Sequence, residues 1–187
     1  IANHPNYQTK TIITIPVVVH VVWKTGAQNI PDTQIQSQID VLNKDFRRTN
    51  IDVINTPTVW QDDAADCEIE FCLATTDPNG NPTSGITRTE TTTNQFDETG
   101  NFSVQDASSG GKEPWDVDNY LNIWVCNLGA QGSGLLGYAS KPSSSISSND
   151  GVVVGYWNFG LSGNSPYHKG RTATHEVGHW LNLIHVW

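Results

Sequence analysis

The chain has 187 residues, 36% hydrophobic and 16% charged, enough apolar material for one sizeable core. Ten Lys and Arg against nineteen Asp and Glu leave a formal charge of −9, a surface that repels phosphate backbones and anionic lipid. That argues against nucleic-acid and membrane partners, and the longest apolar stretch, Val17 to Trp23, is interrupted by His20 and falls far short of the roughly 20 residues a bilayer requires.

The opening IANHPNYQTK has neither the basic nor the apolar region of a signal peptide, and without any Met in the chain Ile1 is not an initiator. Residues Thr11 to Trp23 (TIITIPVVVHVVW) are β-branched and aromatic, which predicts a strand buried on both faces with Pro16 toward its start. After Pro31 and Asp32, the residues Ile35, Ile39, Leu42 and Phe46 recur at helical spacing and form one apolar stripe suited to covering a sheet. Glu68 to Ala74 predicts a strand with Ile69, Phe71 and Leu73 on one face, stopped by the turn DPNGNP. Asp77 begins that turn like a calcium loop, but Pro82 and Arg88 stand where such a loop needs Gly and Glu.

From Thr83 to Asp118 the chain is rich in Thr, Ser, Asn and Gly and reads as irregular, with one short extended piece around Ile86 to Thr89. Within it, Asn101-Phe102-Ser103 matches a glycosylation acceptor. YLNIWVCNL, LLGYAS (Leu135 to Ser140) and GVVVGY (Gly151 to Tyr156) predict three more strands, and a second helix spans about Gly170 to Asn182. With two helices among strands that are not strictly alternating, the class is α+β. The chain ends in the apolar run LNLIHVW, unlike an ordinary domain boundary, which predicts that a C-terminal part is missing.

Three cysteines are an odd number. Cys67 and Cys72, five apart along a strand, point to opposite faces and should not bridge each other; either Cys126 takes one of them or a partner lies outside this sequence, and three buried thiols are the remaining alternative.

Chemistry concentrates in THEVGHWLNLIHVW. On a helix His175 and His179 lie four apart on one face, within reach of one metal ion, and Glu176 beside them can touch a water on that ion. Ala173, Val177, Trp180 and Leu181 form the opposite, apolar face. His185 is the third candidate ligand. A continuing helix would carry it about 600° round and about 9 Å along from His179, so the helix must break, and Asn182 tolerates the left-handed backbone that such a break needs. No fourth Cys or His stands at short spacing, which favours a catalytic ion with an open position over a closed structural one. His20, inside the first strand, reads as a satisfied sheet histidine, and His168 as a loop residue.

HEVGHWLNLIH resembles the metzincin zinc-binding pattern HExxHxxGxxH, and IPVVVHVVW, IQSQIDVLNKDFRRTN, IEFCLATTDPNGNP, YLNIWVCNL and GRTATHEVGHWLNL are similar to the pappalysin family of secreted zinc endopeptidases, over nearly the whole chain. The resemblance implies that residues 1–187 are the N-terminal subdomain of a metzincin-like catalytic domain: a twisted five-stranded mixed sheet, a backing helix, and an active-site helix ending at the third ligand. It implies Zn²⁺ on His175, His179 and His185, Glu176 as general base, and a rim strand whose Gly137, Tyr138 and Ala139 bind protein or peptide substrates. Any Ca²⁺ site, together with the Met turn, would belong to the missing C-terminal subdomain. The family's Gly is Asn182 here, and the chain stops two residues after His185. A zinc-binding but catalytically silent module is the alternative, separable by assay against a protein substrate, and a metal-free adhesion module is a third, separable by metal analysis.

Overall fold

The computed structural model describes residues 11–98, 103–129, 134–142, 149–163 and 166–185; His4 and the acceptor Asn101 lie outside them. The strand β1 (Ile13–Trp23) is the axis of the sheet. One of its edges is taken in succession by β2 (Ile69–Leu73) and β3 (Ile86–Glu90), and the other by β4 (Leu121–Cys126), all parallel to it. Pro16 precedes the β4 pairing, which starts at Val17, so its missing N–H falls where only one edge is occupied. Beyond β4 come β6 (Val152–Gly155), parallel, and at the sheet's end β5 (Gly137–Ala139), antiparallel to β6.

The sheet thus has the five expected strands plus a sixth, because the short extended piece beginning at Ile86 is a full strand. Its sequence ITRTE has no apolar alternation to announce it; the register Val19↔Ile86 to Trp23↔Glu90 makes it a strand by pairing.

Both faces of the sheet are covered, which is why β1, β4 and β6 read as continuous apolar runs. On one face the helices α1 (Asp32–Phe46) and α2 (Arg171–Trp180) bury Ile35, Ile39, Leu42, Ala173 and Val177 against Val17, Val19, Val21, Ile123 and Val154. On the other, the segment read as irregular covers the sheet with Phe96 and Val104, which pack with Val22, Trp124, Cys126 and Val153. Trp124 Nε1 donates to the Lys112 carbonyl at 2.7 Å and ties this cover down.

His20 lies on this second face, fully buried. Thr87 Oγ1 is 2.7 Å from its Nδ1 and Asn122 Oδ1 is 3.0 Å from its Nε2. An amide oxygen only accepts, so Nε2 carries the proton and Thr87 donates to Nδ1. Burial pushes the imidazole down to about 4. His20 is the satisfied sheet histidine that its sequence context suggested. The turn at Asp77 is likewise a turn: its carboxylate accepts from the backbone N–H groups of Asn79 and Asn81 at 2.9 and 2.8 Å.

The cysteines correct one expectation. All three are free thiols, Cys67 and Cys72 exposed and Cys126 buried. Cys72 pairs in register with Pro16, whereas Val125, the neighbour of Cys126, pairs with Val21. Cys126 thus falls opposite Val22, and the six residues of strand from Pro16 to Val22 span about 20 Å at about 3.3 Å per residue, far beyond the roughly 7 Å limit between Cα atoms of a disulfide. Cys67 lies further still along the same direction, so Cys126 bridges neither.

Among the described residues, no helix is long and apolar enough to cross a membrane.

Candidate metal centre and active site

Two features fix α2 before its chemistry begins. Gln38 of α1, fully buried, donates to the Gly170 carbonyl at 3.0 Å and accepts from the Gly160 N–H at 2.6 Å, which anchors the chain entering the helix. One turn further on, Asp45 accepts from Thr174 Oγ1 at 2.7 Å and from Arg171 Nε at 3.2 Å. These polar ties and the apolar face of Ala173 and Val177 orient α2 so that its opposite side points out of the core.

The helix ends as the sequence requires. Asn182 has φ +73°, its N–H bonds to the His179 carbonyl at 2.9 Å, and the Leu183 N–H reaches back to the Gly178 carbonyl at 2.8 Å. This is the paired hydrogen-bond pattern of a Schellman cap, with Asn in the position that glycine most often fills. The turn reverses the chain and returns His185 to the helix.

His175, His179 and His185 converge. Their three Nε2 atoms lie 3.0 Å from one another on every side of the triangle. That spacing is close to the about 3.0–3.4 Å that bonds of about 2.0–2.1 Å, spread by about 95–110°, would give between imidazole nitrogens on one zinc. His179 Nδ1 donates to the Leu183 carbonyl at 2.8 Å, and a carbonyl cannot donate, so in the neutral ring Nε2 presents a lone pair to the other two histidines. Burial, and then the neighbouring imidazoles, lowers the pKa of His175. Three imidazole nitrogens facing one point are a donor set suited to a borderline divalent cation. Among the described residues this is the one His, Cys, Asp or Glu cluster with such geometry.

Glu176 is 7% exposed and turns toward β5. A Cβ on Gly137 would lie 3.0 Å from its Cγ and 3.3 Å from its Oε1, so the absence of a side chain at Gly137 makes room for this carboxylate under the strand. Burial pushes the carboxyl up to about 7, with His179 acting in the opposite sense.

The strand above Glu176 lies at the end of the sheet, and its outer edge has no strand partner among the described residues. Gly155 donates to the Leu136 carbonyl at 2.9 Å and Ser140 donates to the Gly151 carbonyl at 3.0 Å. Alternation then turns the N–H and C=O of Tyr138 toward β6 and those of Gly137 and Ala139 toward the open edge. The Tyr138 side chain leaves on the far face, where it packs near Phe96 and donates to the Asp97 carbonyl at 3.3 Å. Sequence reasoning grouped the three as one binding strand; the pleat divides them. His168 sits in the turn before α2. Two contacts carried no sequence signal: the Leu183 carbonyl behind His179 is backbone, and the Gly137–Glu176 approach joins residues far apart in the chain.

A mixed sheet with a single antiparallel edge strand, a backing helix, and a helix carrying HEVGH that bends to a third histidine together define a metzincin-like fold. More narrowly, residues 106–187 match the model of the pappalysin family, peptidase family M43, described as pregnancy-associated plasma protein-A. An extracellular metalloprotease of Arthroderma benhamiae is 29% identical over 178 residues, covering 93% of this chain and 52% of that protein. An extracellular metalloprotease of Arthroderma otae is also 29% identical, with 53% of its length covered. The structure superposes on Tannerella forsythia mature mirolysin, solved in complex with a cleaved peptide, with a TM-score of 0.89 and 54% identity, over 96% of this chain and 66% of that one. A promirolysin mutant of the same organism gives 0.89 and 54%, with 58% of its chain covered. The chain spans about half the length of the curated relatives it matches.

Proposed function

We propose that this chain is the N-terminal subdomain of the catalytic domain of a secreted zinc endopeptidase, and the observation that carries the reading is the equal-sided triangle of imidazole nitrogens beside a buried glutamate. His175, His179 and His185 would hold the zinc. A zinc ion held there would lower the pKa of a coordinated water toward about 7 and polarise a peptide carbonyl. Glu176 stands next to that position and serves as the general base, taking the water's proton and returning it to the leaving amine. An extended peptide adds to the open edge of β5, bonded through the free backbone groups of Gly137 and Ala139, which aligns it without regard to side chains. Extracellular action follows the printed names of the fungal relatives, and a peptide ligand follows mirolysin's.

The test is Glu176→Gln in the zinc-loaded full-length protein. Peptide cleavage should fall by about 10²–10⁴ or more, with bound zinc still at one per chain. A variant that still cleaves at the parent rate removes Glu176 from this role. Parent protein that binds zinc and cleaves no peptide would establish the silent module instead.

A further inference from the structure

The two halves of the site, the edge strand that would receive a peptide and the helix that presents the histidines, are joined by a side chain that belongs to neither. Asp150 lies between β5 and β6. Its Oδ1 accepts from the hydroxyl of Ser140, the residue that follows β5, at 2.5 Å. Its Oδ2 accepts from Nε1 of Trp180, the last residue of α2 and the neighbour of His179, at 2.8 Å. The Ser140 hydroxyl is itself held by the Gly151 N–H at 2.8 Å, and the Trp180 ring packs against the core formed with α1. An ionised carboxylate only accepts, and here each oxygen is committed to a donor on a different element.

We propose that Asp150 is a positioning residue that sets the height of the edge strand above the metal-binding helix, and so selects extended peptides that occupy the strand over short ones that do not. The inference rests on the hydrolase reading for its purpose, and on geometry alone for the clamp. A peptide bonded to Gly137 and Ala139 takes its position from β5, while the histidines take theirs from α2. The register between peptide and metal is therefore only as definite as the link between these elements. Misplacement of about 1 Å can cost about 10² in rate.

The experiment uses the zinc-loaded full-length protein with Asp150→Ala and, separately, Trp180→Phe, which keeps an aromatic side chain but removes the N–H donor together with the pyrrole part of the indole. Two substrates are compared: a peptide long enough to lie along the whole strand, and a short one that spans the scissile bond alone. Binding is also measured by calorimetry in a Glu176→Gln background, where no turnover intervenes. Both variants should weaken binding of the extended peptide about tenfold or more and raise its KM similarly, with the short substrate changed by less than about twofold. Asp150→Asn, whose amide keeps one acceptor for Trp180 and offers a donor to Ser140, should restore part of the loss.

Equal losses on both substrates, no loss on either, or no binding of the extended peptide with Asp150 intact would overturn the proposal. If the full-length protein cleaves nothing while extended-peptide binding still depends on Asp150, the hydrolase reading fails and this one stands. Should Asp150→Ala not fold, Trp180→Phe alone decides the matter.

Discussion

His179 donates through Nδ1 to the carbonyl oxygen of Leu183 at 2.8 Å, four residues further on and beyond the end of its own helix. The bend that returns His185 therefore also orients His179, and one backbone turn serves two of the three candidate ligands. Asn182 is the hinge of that turn, at φ +73°. Replacing it with Gly should leave zinc affinity and thermal stability close to the parent values, because glycine adopts this conformation without steric cost. Asn182→Val should cost about 1–2 kcal/mol or more at the turn and weaken zinc binding along with it. Chelator-competition titration and thermal melts of the two variants check this; a Val variant with parent zinc affinity would separate the bend from the metal site.

Gly137 is required for a different reason. A Cβ there would sit 2.7 Å from the Val153 carbonyl oxygen and 3.0 Å from Glu176 Cγ. Gly137→Ala should destabilise the fold by about 1–3 kcal/mol through overpacking and depress peptide turnover by displacing the glutamate. Urea unfolding measures the first effect and kcat the second. Full activity with unchanged stability would show that the strand and the glutamate stand further apart than described.

Removal of metal gives a third prediction. An ion that binds the folded chain and not the unfolded one stabilises it by about 4 kcal/mol at a thousandfold excess over Kd. Dialysis against a chelator should lower Tm, zinc should restore it, and magnesium, which prefers oxygen ligands, should not. A melt indifferent to chelation would mean that the three histidines hold nothing.

The fourth prediction concerns His20, which titrates near 4 in the folded chain against an ordinary 6.5. Above about pH 6.5 neither folded nor unfolded chain protonates it, and its full contribution to stability is present. As pH falls from about 6.5 to about 4 the unfolded chain takes up a proton that the folded chain refuses, so stability declines by an amount approaching about 3 kcal/mol. His20→Gln can keep both hydrogen bonds, to Asn122 and Thr87, and should flatten this part of the curve. Parallel slopes for parent and variant, from urea unfolding at pH 7 and pH 4.5, would reject the assignment.

The sequence was most legible where pattern and purpose coincide. The stripe Ile35, Ile39, Leu42 and Phe46 gave α1 because a helix against a sheet must repeat its apolar face, and all four are buried. The arithmetic between His179 and His185 requires a break, since no continuous helix brings those residues together, and Asn182, a residue that tolerates left-handed backbone, supplies it at φ +73°. Where structure arises from partners distant in the chain, less is legible: the short extended piece at Ile86 to Thr89 can be read, its pairing with β1 cannot. ITRTE becomes β3 only beside β1, and Phe96 and Val104 look like strays in a polar loop until they cover the far side of the sheet. Asp150 is one acidic residue in a serine-rich loop, and its donors are 10 and 30 residues away in opposite directions. The helix itself was read slightly too long, Gly170 to Asn182 against Arg171–Trp180, because its flanking residues carry the left-handed geometry that delimits it.

The open margin of β5 has an implication beyond the reaction. A row of backbone groups with no strand partner among the described residues does not distinguish a substrate from a neighbour, and any unfolded or frayed chain in the vicinity can lay itself there, a second molecule of the same protein included. Three residues is a short landing strip, and that brevity is itself protective, since it caps how firmly a stray segment can be held. Preparations at high concentration should accordingly show weak, reversible self-association that an excess of peptide ligand disperses.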